Sequence, residues 1–235
     1  MNNITKNEMK KNLKRIPLLK NVISLLRYTK VNQNQFVRSN LYWEERYQSG
    51  GTSGTGSYGK FAEFKAEFLN QFVIANKIGS IIEFGCGDGN QLKLVNYPNY
   101  IGFDVSEQAI LLCRKQFYGD TTKNFYQLTE YNNQRAELVL SLDVIYHLVE
   151  DEIFDSHMTM LFHTATRYVI IYSSNFDDSS SRDGKHIRHR KFTDWITVNC
   201  PNWKMIDHIP NKYPFKGDYK EGSFADFFVF SKVSS

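Results

Sequence analysis

Two glycine runs, with a few acids and histidines, are the residues of this 235-residue chain whose types and spacing could do chemistry. The first run is Gly50-Gly51-Thr52-Ser53-Gly54-Thr55-Gly56-Ser57-Tyr58-Gly59, and residues 54–59 match G-x-G-x-x-G letter for letter. Its context is wrong for a dinucleotide turn, because the preceding Leu41–Ser49 is polar and reads as a short helix rather than a buried strand. It also lacks the Lys-Ser/Thr ending of a phosphate-binding loop. The second run, Glu83-Phe84-Gly85-Cys86-Gly87-Asp88-Gly89, continues directly from the apolar segment Ser80–Phe84. Gly85 and Gly87 lack a Cβ, so the chain can turn sharply there and a ligand can approach the backbone. Asp104 ends the next apolar segment, 21 residues after Glu83. A carboxylate at that strand end can accept hydrogen bonds from both hydroxyls of a ribose.

Further candidates follow downstream. His147 lies four residues after Asp143, so the two share a face if a helical turn starts there. A neutral imidazole can accept a hydroxyl proton near pH 7. In the polar run from Arg182 to Lys191, Arg188 and Arg190 could hold an anionic acceptor and His189 is a second candidate base. Tyr146 is grouped with them as an acceptor contact. Asp143, Asn175, Asp177 and Asp178 could together offer oxygens to Mg²⁺, but their spacing is not diagnostic and no metal site is assigned. Cys86, Cys113 and Cys200 have neither a disulfide framework nor metal-ligand spacing, which fits a reducing cytoplasm.

Alternating strands and helices must position these residues. Apolar segments at Ser80–Phe84, Tyr100–Asp104, Asn124–Leu128, Glu137–Leu142, Arg167–Ser173, Trp203–Ile209 and Ser223–Phe230 read as seven strands. Helices are expected over Lys60–Asn76, whose Phe61, Phe64, Phe68 and Phe72 form a core stripe, and over Ser106–Phe117 with Ser106 as N-cap. Two more are expected over Asp151–Ala165 and Phe192–Asn199, and a short one over Asn90–Val95. The expected fold is α/β: a doubly wound, seven-stranded, mostly parallel sheet with an antiparallel last strand.

Charge is unevenly placed. Residues 1–40 carry nine Lys or Arg and one acid, and the remaining residues hold 20 basic and 24 acidic side chains. The mildly acidic body argues against nucleic acid as partner. Residues 1–38 read as a basic arm in which Ile16 to Lys30 forms an amphipathic helix, lying on an anionic membrane surface, on a partner, or packed on the body. Residues 39–235 read as a single domain. The apolar stretch near Ile16 is broken by Pro17 and Lys20, so neither a signal peptide nor a membrane span is expected, and the location expected is cytoplasmic, with the inner membrane face as a variant.

The segments E-F-G-C-G-D-G, G-F-D-V-S and L-S-L-D-V-I-Y-H-L resemble the signature set of class I S-adenosylmethionine-dependent methyltransferases, a family with the Rossmann-like fold, from about Lys60 to the C-terminus. The resemblance implies S-adenosylmethionine as methyl donor. Gly85, Cys86 and Gly87 would approach its methionine portion, with Glu83 near the amino group. Asp104 would take the ribose hydroxyls beside Val105, and Leu142 and Asp143 would border the transferred methyl. Thr129 and Glu130 are the nearest candidates for the adenine-side acid. Trp43, Arg46, Tyr47, Gly50, Gly51, Ser53, Gly54, Gly56, Ser57 and Tyr58 resemble the lead-in of bacterial and viral members found with glycan-assembly enzymes. That resemblance makes residues 49–60 a lid, with Tyr58 closing over the cofactor, and points to a sugar or surface-glycan hydroxyl as acceptor. Another small molecule or a lipid is the alternative acceptor. An NAD-dependent oxidoreductase is a more distant reading, weakened because Asn90 stands where the third glycine would fall. A non-catalytic binding module is another, weakened by the intact motif.

Overall fold

A computed structural model describes residues 38–178 and 184–233, which fall in the unit Arg38–Ser235. The amphipathic helix expected at 16–30, and Arg182 and Asp183, lie outside the described residues.

The helices are α1 (Ser39–Gln48), α2 (Gly59–Ala75), α3 (Glu107–Gln116), α4 (Asp151–Thr164) and α5 (Phe192–Asn199). The strands are β1 (Ile81–Phe84), β2 (Tyr100–Asp104), β3 (Lys123–Gln127), β4 (Ala136–Leu142), β5 (Ala165–Ser173), β6 (Trp203–Ile209) and β7 (Asp226–Lys232). They form one seven-stranded sheet in the order β3-β2-β1-β4-β5-β7-β6. β7 runs antiparallel to both β5 and β6, and the other neighbouring pairs are parallel. The doubly wound sheet with an antiparallel last strand is therefore present as expected. β7 begins three residues later than the apolar pattern suggests. Its approach, Ser223 to Ala225, is spent on loop bonds such as Phe215 N–H to the Ser223 carbonyl.

Side-chain alternation along the strands divides the core in two. Ile81, Leu138, Leu140, Ile170 and Phe227 face one layer with Leu69 and Val73 of α2 and Ile110 of α3. Ile82, Val139, Ile171 and Phe228 face the other, with Phe154 and Met158 of α4 and Phe192 of α5. Both faces of the central strands are thus covered, which is why those strands read as apolar runs instead of alternating patterns. The phenylalanine stripe of α2 packs as expected: Phe61 is buried, and Phe64, Phe68 and Phe72 lie against the first layer. Ser106 caps α3, its Oγ accepting from the Ala109 N–H at 3.2 Å.

The sheet reverses its winding between β1 and β4. A crevice opens outside the carboxyl ends of strands at such a switch point, and the glycine turn after β1, Asp104 of β2 and Asp143 after β4 all sit there.

Candidate functional site

The glycine turn cannot be built from other residues. Gly85 has φ +88° and Gly87 φ +58°, both left-handed. A Cβ on Gly85 would run into the Val144 side chain, and one on Gly87 into the Ser53 hydroxyl and Tyr47. The turn bounds a cavity of about 290 Å³. Glu83, Gly85, Cys86, Gly87, Asp104, Val105, Leu142, Asp143 and His147 all border it. The structure thus brings most of the expected site residues to one wall.

Two buried carboxyls flank the turn. Glu83 accepts from the Tyr100 hydroxyl at 2.6 Å. Burial raises its pKa to about 7, against the opposing pull of that hydroxyl and of the Lys65 charge. Asp104 accepts from the Gly87 N–H and the Ser106 N–H, each at 2.9 Å. Burial still raises it to about 6. Each carboxylate oxygen so bonded keeps a second lone-pair direction for a ligand.

The glycine-rich segment of residues 50–59 is tied to the turn. The Ser53 N–H and the Tyr58 hydroxyl donate to Asp88 Oδ2 at 3.0 and 2.8 Å, and the Asp88 N–H donates to Ser53 Oγ at 3.0 Å. Asn90 Nδ2 donates to the Ser57 carbonyl at 2.7 Å. Ser53 and Ser57 border the cavity, whereas Tyr58 does not and is 37% exposed.

Lys65 escaped the sequence reading. It lies in the buried stripe of α2, four residues after Phe61, and is 1% exposed. Its Nζ pairs with Asp143 Oδ2 at 2.5 Å and lies 5.1 Å from the Tyr172 ring centroid. The other Asp143 oxygen accepts from the Tyr146 hydroxyl at 2.9 Å. Asp143 itself is held at φ +59°, a conformation that costs a non-glycine residue energy and clusters at functional sites. The available signal was a charged residue on an otherwise apolar face, since a buried lysine requires a partner.

His147 Nδ1 lies 3.1 Å from the His186 carbonyl oxygen. That oxygen can only accept, so Nδ1 carries the hydrogen and Nε2 the lone pair. Burial lowers the pKa to about 3, against the opposing pull of the bond to the His186 carbonyl. His147 is therefore a neutral acceptor across the physiological range. Its ring is packed by Trp43 at 4.8 Å and His186 at 5.4 Å.

The remaining expected residues stand elsewhere. His189 is buried, with Nδ1 at 2.7 Å from the Ser174 hydroxyl and its ring against Phe176 and Phe224, off the cavity wall. Arg188 donates to the Val149 carbonyl at 3.0 Å and pairs with Asp151 at 2.9 Å. Arg190 donates to the Leu148 and Val149 carbonyls and to Asp151, at 2.6, 2.8 and 3.1 Å. Both clamp the chain entering α4 and neither borders the cavity. Tyr146 is also off the wall, with its hydroxyl on Asp143. Glu130 accepts from the Gln127 N–H at 2.8 Å, closing a local turn, and Leu128 rather than Thr129 or Glu130 borders the cavity. Asn175 bonds Thr193, and Asp177 accepts from the Lys191 N–H, so neither converges on Asp143. Among the described residues no group of three or more His, Cys, Asp or Glu could hold a metal ion, and no helix is long and apolar enough to cross a membrane.

The cavity lining is mixed. Phe103, Leu128, Ile153 and Met160 give it apolar surface suited to a flat heterocycle. Ser53, Ser57, Lys65, Glu83 and Gln91 add polar groups. Gln91 Nε2 donates to the Ala62 carbonyl at 3.0 Å, while its buried Oε1 has no partner among the described residues. An orphaned buried acceptor beside a glycine cradle fits a ligand that brings a donor.

No protein-family model matches the sequence, and no curated protein matches it. Solved structures do share the fold. The N-methyltransferase NodS from Bradyrhizobium japonicum WM9, in complex with S-adenosyl-l-homocysteine, matches with a TM-score of 0.66 at 12% identity, over 84% of this chain and 100% of that one. Magnesium protoporphyrin IX methyltransferase (ChlM) from Synechocystis PCC 6803, with bound SAM, matches with a TM-score of 0.59 at 13% identity, over 86% and 100%. The methyltransferase domain of bacterial CtHen1 matches with a TM-score of 0.57 at 17% identity, over 73% and 98%. The chain has the fold of class I S-adenosylmethionine-dependent methyltransferases.

Proposed function

We propose that the chain is an S-adenosylmethionine-dependent methyltransferase acting on a hydroxyl of a sugar or surface glycan. The observation that carries the donor is the single cavity in which Glu83 and Asp104 flank the glycine turn, within a fold shared by S-adenosylmethionine-bound enzymes. Asp104 takes the ribose hydroxyls, Glu83 the amino group, and the apolar surface around Phe103 and Leu128 the adenine. The cofactor supplies an activated methyl on a sulfonium sulfur. This chain's residues align the acceptor and keep water out. Leu142, Asp143 and Trp43 wall the space for the acceptor, and His147 Nε2 receives the hydroxyl's hydrogen bond. The sugar assignment rests on the resemblance of the Trp43–Tyr58 lead-in.

A second acceptor class is favoured by one observation. With a pKa lowered to about 3 by burial, His147 is a weak proton acceptor. A carboxylate carries a free lone pair at neutral pH and needs no base.

Calorimetric titration with S-adenosylmethionine, S-adenosylhomocysteine and NAD tests the donor. Binding of the adenosyl compounds supports it, and binding of NAD alone overturns it. Labelled methyl transfer to nucleotide sugars, amino sugars, uronic acids and glycan extracts separates the acceptors.

A further inference from the structure

The connection between β6 and β7 covers residues 210–225 and contains no helix or strand. So long a connection inside a compact domain is uncommon and usually carries a function. It is nevertheless folded. The Phe215 N–H donates to the Ser223 carbonyl at 2.9 Å, the Ser223 N–H to the Tyr213 carbonyl at 2.8 Å, and the Gly222 N–H to the Asp218 carbonyl at 2.9 Å. Gly222 closes this neck, because a Cβ there would run into the Pro214 carbonyl. On the inner side, the Phe224 ring packs 5.0 Å from the ring of Tyr146.

The outer side differs in chemistry. Phe215 and Tyr219 are 37% and 39% exposed, with ring centroids 4.5 Å apart. Lys212, Lys216 and Lys220 are exposed on the same loop, and none of the three pairs with an acid among the described residues. The loop's own acids are engaged. Glu221 pairs with Lys60 at 2.6 Å, and the Asp218 carboxylate accepts from the Lys220 N–H at 2.8 Å. The patch is therefore basic on a body that is acidic as a whole, since residues 41–235 hold 20 basic and 24 acidic side chains. Cations around exposed aromatic rings match the boundary of a bilayer, where anionic headgroups meet acyl chains. The two rings pack on each other, so their faces are not open platforms for nucleic-acid bases.

We propose that the β6–β7 loop docks the protein on an anionic lipid surface: Phe215 and Tyr219 enter the headgroup boundary, and Lys212, Lys216 and Lys220 pair with the headgroups. Docking of this kind goes beyond methyl transfer and holds for either acceptor class. It is also distinct from a role for the basic arm of residues 1–38, because the loop belongs to the unit Arg38–Ser235.

The test is co-sedimentation of the full chain with vesicles of phosphatidylcholine alone and of phosphatidylcholine with about one-third phosphatidylserine. The wild type is expected to favour the mixed vesicles, and less so as salt rises. Lys212→Gln, Lys216→Gln and Lys220→Gln together should weaken that partitioning by about 100-fold, about 5-fold for each lysine. Phe215→Ser with Tyr219→Ser should weaken it by about 10-fold and leave the salt dependence unchanged. Hydrogen exchange on the wild type locates the contact: amides of residues 211–224 should slow when mixed vesicles are added. Binding that survives both sets of substitutions, or that leaves exchange in the loop unchanged, overturns the proposal and points to the arm. So does binding to a DNA duplex that the lysine substitutions abolish while mixed vesicles capture nothing.

Discussion

Ser53 and Asp88 are joined twice: the Ser53 N–H donates to the Asp88 carboxylate, and the Asp88 N–H donates to the Ser53 hydroxyl, both at 3.0 Å. This reciprocal pair fastens residues 50–59 onto the glycine turn.

Breaking the pair should loosen that wall. Burial raises the Asp88 pKa, but bonds from Ser53, Tyr58 and Asn90 outweigh it and hold the group below the ordinary carboxylate value. Asp88 therefore contributes stability above the unfolded-state pKa, and that contribution is lost as pH falls through the lowered folded-state value. Asp88→Ala should cost about 1–3 kcal/mol in denaturant unfolding. It should also speed proteolysis within residues 49–60. Unchanged cleavage there would show that Asp88 does not hold the segment.

The buried acids make the opposite prediction. Glu83 and Asp104 have folded-state pKa values raised by burial to about 7 and about 6. The folded protein then binds more protons than the unfolded chain, so stability without ligand falls as pH rises from about 4 through about 7. A ligand donating hydrogen bonds to both carboxylates favours their ionised forms. S-adenosylhomocysteine should bind more tightly from pH 5 to 8, releasing protons near pH 6 in calorimetry run in buffers of different ionisation heat. Asp104→Asn should remove the lower part of that dependence.

Gly87→Ala should be severe. The new methyl would meet Ser53 and Tyr47 at a φ of +58°. The left-handed backbone alone costs about 1–2 kcal/mol. A lowered Tm with loss of S-adenosylhomocysteine binding is expected, while Gly119→Ala, with open space around it, should lose only the conformational term.

His147 discriminates the acceptor classes. For a hydroxyl acceptor, His147→Ala should lower kcat by about 10²- to 10⁴-fold with cofactor affinity unchanged. For a carboxylate acceptor it should leave kcat nearly intact. In neither case should the profile show a limb near pH 6.5, because the imidazole titrates at about 3.

Much of the fold was legible because the central strands are apolar on both faces and the helices carry one-sided stripes. Phe192–Asn199, for example, forms the helix its pattern describes. The cofactor-side residues were legible for a related reason. Glu83, the glycines and Asp104 follow one another along β1, the turn and β2, and strand-end position dictates where they point. Distant pairings were not legible. Arg188 and Arg190 look the same in sequence whether they face a ligand or the carbonyls of Leu148 and Val149. His189 gives no sign that Phe176 and Phe224 will enclose it. Lys65 stands in sequence as a charge on the apolar face of α2, and its partner is not visible until Asp143, 78 positions away, is folded against it.

The sequence by itself therefore determined the α/β alternation, the glycine turn and the carboxylate beside it, because each depends on neighbours a few residues away. Tertiary structure alone decided that Ser53 and Ser57, and not Tyr58, border the cavity, that Asp143 is paired with Lys65, and that His147 is neutral. Burial and long-range partners set those properties, and both exist only once the chain has closed.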